Sequence, residues 1–206
     1  MFLALLGMLL VAEHRTATDY WAKQLQRVEG TVGYQFHPDG SDFREVSDNA
    51  NLPDEAFAVT REHSQAVLGL PDSSLISLGA NTMASVSPFR PLGTPRLVVL
   101  LADGALRFDV RSAAGAGTYA FTTYNFTAEV RSAAGVIGAA KDVTLLGCLR
   151  CAVGSVTVRA VNQTFAPVSG QYVAVSADGG VATGTLTRKI LDTFSTVGVP
   201  LKAEQQ

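Results

Sequence analysis

From Thr31 onward, apolar and polar positions alternate with a period of two. Val32, Tyr34 and Phe36 share one parity in TVGYQF, and Leu106, Phe108 and Val110 oppose Arg107, Asp109 and Arg111 in ALRFDVR. The same holds for Phe126, Ala128 and Val130 against Thr127, Glu129 and Arg131, and for Val156, Val158 and Ala160 against Thr157, Arg159 and Val161. Successive side chains of a strand point to opposite faces, so these segments bury one face and solvate the other. Turn signals punctuate them at PDG 38–40, PDSS 71–74, ADG 102–104 and ADGG 177–180. Strands spaced in this way build sandwiches, barrels or solenoids. Helical patterning is confined to the ends. Residues 16–27, TATDYWAKQLQR, predict a short helix with Tyr20, Trp21 and Leu25 on one face. Residues 187–199, TRKILDTFSTVGV, predict a short helix or terminal strand, and 201–206 a solvated tail. The expected class is mainly β: twisted antiparallel sheets, partly solenoid-like and partly sandwich-like, with short helices near both termini.

Three features bear on domain organisation. DVRSAAG at 109–115 returns as EVRSAAG at 129–135, which fits either one solenoid coil per twenty residues or two similar small-residue turns. The segment 87–97, SPFRPLGTPRL, carries three prolines and reads as a linker between β-lobes at 16–86 and 98–200, or as a long loop along a sheet edge. The first apolar run, Phe2 to Ala12, is eleven residues long and closed by Glu13, His14 and Arg15. It is too short to span a bilayer and has the length of a signal-peptide core. No Lys or Arg precedes it and no A-x-A site follows, so a buried helix or an uncleaved anchor over 1–15 is the competing reading.

With 206 residues, 47% apolar, the chain is long enough to bury a substantial core. Its 17% charged residues and net charge of −2 lack the basic face that nucleic acid requires. The three histidines, His14, His37 and His63, have no ligand-like spacing, and no metal or cofactor is expected. Cys148 and Cys151 form CLRC, without the following His of a haem site or the second pair of a zinc site. In an extended strand, residues three apart face opposite ways and lie ~10 Å apart, so a local disulfide would need a turn. Packed free thiols are the alternative.

Between Gly30 and Val86 the motifs run GTVGYQF, a turn, FREVSDNANLPDEAFAVT and SQAVLGLPDSSLISLGANTMASV. The second half continues with GALRFDV at 104–110, FTTYNFTAEVRS at 121–132, VGSVTV at 153–158 and Gly170-Gln171. Taken in order, from roughly residue 28 to 180, they resemble the FecR-domain family of periplasmic regulatory and signalling proteins. Thr60, Ser64, Ala66, Leu68, Leu70, Asp72, Leu75, Leu78, Asn81 and Thr82 fall on the family's leader, its strands and its DGS-type turn, with Thr60 as an exposed leader Thr. Ser73 stands where the turn Gly sits, and Ser132-Ala133 replaces the Gly-Thr after Arg131. Gly reaches φ > 0 at little cost and Ser does not, so the geometry of both turns is in question. The resemblance implies an exported, all-β domain without an active site. Its best-known members also have a cytoplasmic segment, a membrane helix and a receptor-contacting lobe. This chain is expected to lack the cytoplasmic segment and, after Gln171, room for the full receptor-contacting lobe, so sigma-factor regulation and iron sensing are not carried over.

The residues themselves offer no catalytic constellation. No G-x-S-x-G elbow is present, and the carboxylates Asp39, Asp42, Asp54, Glu55, Asp72, Asp103 and Asp178 stand beside turns, where Asp before Gly bonds its own backbone. SDNANLPDE at 47–55 comes nearest to a calcium loop but lacks the D-x-D-x-D-G order. The expected role is that of a non-enzymatic protein-interaction or signalling module in the envelope, with an unidentified envelope protein as partner. A structural or carbohydrate-binding domain is the alternative, with Tyr124 and Tyr172 as its exposed aromatics; Tyr119 and Phe121 share a face and read as core. Gly40, Asp72, Gly104, Gly154 and Gly170 are singled out as turn positions on which folding depends.

Overall fold

The computed structural model describes residues 23–89, 96–111, 118–196 and 198–199. The signal-peptide expectation over 1–15 and the helix expectation over 16–22 lie outside these residues. Within them the chain is mainly β, with one helix near its end. The early strands are β1 (Gln24–Glu29), β2 (Val32–Gln35), β3 (Arg44–Glu45), β4 (Asn49–Asn51), β5 (Phe57–Thr60), β6 (Gln65–Gly69), β7 (Leu75–Leu78) and β8 (Met83–Phe89). A long central strand, β9, spans Arg96–Asp109. After it come β10 (Thr118–Thr122), β11 (Thr127–Val130), β12 (Ala134–Ala139), β13 (Val143–Arg150), β14 (Val156–Ala160), β15 (Gln163–Phe165), β16 (Gln171–Ser176) and β17 (Val181–Thr185), then α1 (Arg188–Thr196).

The strands form two sheets that share β9. Sheet A runs β4-β1-β6-β7-β9-β12-β13-β16-β17, and sheet B runs β3-β2-β5-β8-β9-β10-β11-β14-β15. Every pairing is antiparallel except β9 with β10, which is parallel. β9 belongs to sheet B as far as Asp103, opposite Met83, and to sheet A from Gly104, opposite Ala139. Beyond β9 the chain lays hairpins alternately on the two sheets: β10–β11 on B, β12–β13 on A, β14–β15 on B and β16–β17 on A. That progression is solenoid-like, while the face-to-face stacking is a sandwich. One core cluster fills the space between, joining Leu68, Leu106, Phe108 and Ile137 of sheet A to Val86, Leu101, Phe121 and Val158 of sheet B. The rings of Phe108 and Phe121 meet across it at 4.8 Å. The lobes expected on either side of 87–97 therefore share a strand and a core. Residues 87–89 belong to β8 and 96–97 to β9, and 90–95 lie outside the described residues.

The sheet-to-sheet corners follow one recipe: a left-handed residue with a buried hydroxyl beside it. At Gly104, φ is +90°. The Thr82 hydroxyl accepts from Ala105 N–H at 3.0 Å and lies within donating distance of Ala105 O at 3.0 Å. Thr60 Oγ1 accepts from Thr82 N–H at 2.9 Å and donates to Gly79 O at 2.5 Å. Thr60, expected at an exposed position, is buried because it closes this junction. Where β1 passes to β2, Gly30 has φ +69° and Thr31 N–H donates to Ser64 Oγ at 2.8 Å. Backbone groups that leave one ladder before joining the next must find partners, and these hydroxyls supply them.

Three expectations change on folding. Residues 24–27 are strand rather than helix: Gln24–Glu29 pairs with β6 on one side and β4 on the other, and Leu25 enters the core. Helix propensity is a weak prior beside two flanking ladders. The ADG signal at 102–104 does not reverse the chain but kinks β9 from one sheet into the other. The DVRSAAG echo marks no equivalent coils either: after β9 the chain leaves sheet A for B, and after β11 it leaves B for A. Residues 112–115 of its first copy lie outside the described residues.

The C-terminal segment straps the outer face of sheet A. Glycines give it room, since a Cβ on Gly138 would meet the Phe194 ring at 3.1 Å and one on Gly147 would meet Leu186 at 2.8 Å. Phe194 and Val199 are buried against Ala105 and Val136, with Ile190 and Leu191 beside them. Burying one such aromatic contributes roughly 1.5–3 kcal/mol.

The corner geometry sets the order of glycine substitutions. A Cβ at Gly104 would lie 2.5 Å from Asn81 O and 2.6 Å from Thr82 Cα, whereas at Gly154 and Gly170, φ +76° and +80°, nothing lies within 4 Å. Gly104→Ala combines a left-handed penalty with overpacking and is expected to cost about 3 kcal/mol or more; Gly154→Ala and Gly170→Ala are expected to cost about 1–2 kcal/mol from the backbone alone. Urea unfolding measures all three, and equal losses would contradict the corner argument.

Candidate functional site

The turn positions singled out in the sequence do not converge. Gly40, φ +75°, closes the His37–Gly40 turn after β2. In that loop Asp39 accepts from Ser41 N–H at 3.0 Å, and Asp42 accepts from Phe36 N–H at 2.8 Å and His37 N–H at 3.2 Å. These amide donors hold both carboxyls below the usual carboxylate range. Asp72 sits in the β6–β7 turn, where its Oδ1 accepts from Ser74 N–H at 2.9 Å and from the Tyr119 hydroxyl at 2.8 Å. Gly154 lies in the turn after β13. Gly170 joins the β15–β16 crossing to its neighbours, donating to Cys148 O and accepting from Leu186 N–H.

Other candidate clusters come apart in the same way. Asp54 of the 47–55 segment is paired at 2.6 Å with Lys23, whose Nζ also donates to Val86 O at 2.8 Å. Among the described residues no three His, Cys, Asp or Glu side chains gather as they would around a metal ion. Tyr124 is 77% exposed at the β10–β11 turn, but the Tyr172 ring lies over Gly184. Tyr119 and Phe121 are core residues, and burial pushes the Tyr119 hydroxyl well above the usual phenol range.

Backbone conformation shows what the sequence pattern left in question. Ser73 has φ +65° and Ser132 φ +45°, so both serines adopt the left-handed conformation that Gly favours. Ser73→Gly and Ser132→Gly each remove a left-handed penalty of about 1–2 kcal/mol and restore about 0.5–1 kcal/mol of unfolded-state entropy. Each is expected to stabilise by about 0.5–1 kcal/mol in chemical unfolding. A loss at both positions would mean that the serine side chains contribute more than the strain.

Cys148 and Cys151 are free thiols, both buried in the central core. The expectation that they face opposite ways fails because β13 carries a bulge. Ala134 pairs with Arg150 and Gly135 with Cys148, leaving Leu149 as the extra residue. The bulge shifts the parity, turning Arg150 outward and Cys151 inward. The side chains then meet, and the neighbouring sulfur together with burial pushes the Cys148 thiol up. Cys148 Sγ also lies 3.6 Å from Pro167 O and Cys151 Sγ 3.5 Å from Ala134 O. A small thiol reagent is expected to label neither cysteine in the native protein and both after full unfolding. Zero thiols in denaturant would instead reveal a disulfide.

No family model matches the chain, and no curated protein matches it in sequence. Two solved structures share its fold, both of a candidate anti-sigma factor from Parabacteroides distasonis ATCC 8503. The crystal structure at 1.65 Å matches with a TM-score of 0.56 and 15% identity over 66% of this chain and 63% of that one. The crystal structure at 2.50 Å matches with a TM-score of 0.56 and 14% identity over 66% and 62%. The chain thus spans less than two thirds of the length of the proteins it resembles, and at this identity the likeness is one of fold.

Proposed function

We infer that this chain is a FecR-like β-domain that serves as a protein-interaction or regulatory module of the cell envelope and carries out no chemistry of its own. The observation that carries this reading is the left-handed backbone at Ser73 and Ser132. Those are the two places where the chain departs from the family's Gly, and the fold keeps there the conformation that Gly serves. The fold shared with the two structures of a candidate anti-sigma factor supports the regulatory part of this reading. So does the dispersal of the polar side chains, which serve turns and corners. Export fits the apolar run from Phe2 to Ala12. The partner would be another envelope protein, met through sheet edges or exposed turns.

The test has two arms. In the native host, the chain tagged at Gln206 is expected outside the cytoplasm, with its N-terminus trimmed after the Phe2–Ala12 run when read by mass spectrometry. Deletion of the gene is expected to change transcription of a small, coherent set of operons. A full-length cytoplasmic chain would sink the envelope assignment. An exported chain whose loss leaves transcription unchanged would overturn regulation and favour the structural or carbohydrate-binding alternative.

A further inference from the structure

Cys148 and Cys151 are the two thiols of the chain, and the fold buries both in one core. Three residues apart in an extended strand, they would lie ~10 Å from each other on opposite faces. Two features bring them together instead. The bulge at Leu149 turns Cys151 to the face that Cys148 occupies. The segment after β15 then anchors both backbones at neighbouring points. Gly170 N–H donates to Cys148 O at 2.9 Å. One residue earlier, Ser169 N–H donates to Cys151 O at 3.1 Å, and Cys151 N–H donates to Ser169 Oγ at 2.8 Å. Consecutive Cα atoms are about 3.8 Å apart, so both cysteines are tied to a single residue step of the facing segment.

The sulfurs themselves are in contact. The two thiols hydrogen-bond to each other. Each also has a backbone carbonyl beside it, Pro167 O at 3.6 Å from Cys148 Sγ and Ala134 O at 3.5 Å from Cys151 Sγ. A disulfide requires two cysteines on close backbones with their side chains directed at each other. The bulge supplies the direction and the Ser169–Gly170 anchor supplies the closeness.

We propose that Cys148 and Cys151 are a dithiol–disulfide couple, which closes a bond inside the core when the folding chain meets a small disulfide such as oxidised glutathione. One cysteine thiolate attacks the small disulfide, forming a mixed disulfide and expelling one small thiolate. The second cysteine thiolate attacks the sulfur of the first, closing the Cys148–Cys151 bond and expelling the other. Two electrons pass from the cysteines to the small disulfide, and the two protons they lose end on two small thiols. The dithiol is the reduced member of the couple. With Cys148 0% and Cys151 3% exposed, it is closed to reagents once folded, so the exchange takes place while the core is open. An oxidising compartment favours the disulfide and a reducing one the dithiol, so the inference does not depend on the FecR-like reading.

The test compares the couple in the folded and the unfolded chain. The full chain is equilibrated with mixtures of reduced and oxidised glutathione, once in buffer and once in urea above the unfolding transition. In buffer, equilibrium is approached both from the reduced, unfolded chain as it refolds and from the oxidised chain. Acid quenching and mass spectrometry then read the disulfide as a monomer lighter by about 2 Da. The chain has two cysteines, so a monomer of that mass contains this bond alone. If the fold holds the sulfurs together, their effective concentration is higher in the native chain, and the equilibrium constant for the disulfide is expected to be about tenfold greater there than in urea. The same linkage raises the urea midpoint of the oxidised chain above that of the reduced one. An equal or smaller constant in the native chain would overturn the proposal. So would a refolded chain that keeps both thiols in a mixture that oxidises the unfolded one, or a product in which two chains are linked.

Discussion

The architecture depends on one residue being able to turn left. β9 is the central strand of both sheets, which is achieved by crossing between them at Gly104, where φ is +90° and neighbouring backbone leaves no space for a Cβ. The crossing breaks a ladder, and each amide freed by it would be costly if buried without a partner. The hydroxyls of Thr82 and Thr60 take those positions, linking Ala105, Gly79 and the start of β8 in one network. A strand interrupted there would leave two separate sheets without a common axis. With the crossing intact, one strand sets the register for its neighbours in both layers.

The same economy shows in the carboxylates beside the turns, which are engaged by neighbouring groups. Asp72 is engaged by Ser74 and Tyr119, Asp42 by two backbone amides, and Asp54 by Lys23. Each of these carboxylates stabilises a turn or anchors a strand end.

The cysteine pair shows how a small irregularity redirects side chains. Without the extra residue at Leu149, strict alternation would send Cys151 to the face opposite Cys148. With it, both sulfurs enter the core beside Pro167 and Ala134, and Leu149 joins the patch under α1. That patch is itself built on missing side chains. Gly138 and Gly147 make room for Phe194 and Leu186, so the terminal helix lies close against sheet A.

Much of the fold was legible in the sequence because strand alternation is local. Leu106, Phe108 and Val110, or Val156, Val158 and Ala160, declare their buried face whatever strand lies beside them. Turn residues are local too, and Gly40, Gly104, Gly154 and Gly170 all take positive φ. What a signal does, however, depends on partners distant in sequence. Residues 24–27 are extended because β6 and β4 flank them, and ADG kinks a strand instead of reversing it because β8 and β12 bind its two halves in different sheets. The bulge in β13 exists only against β12. Composition and period determined the class and the faces; long-range pairing decided the order, the corners and the surfaces left open. Those choices are settled by hydrogen-bond partners far along the chain, which no local window contains.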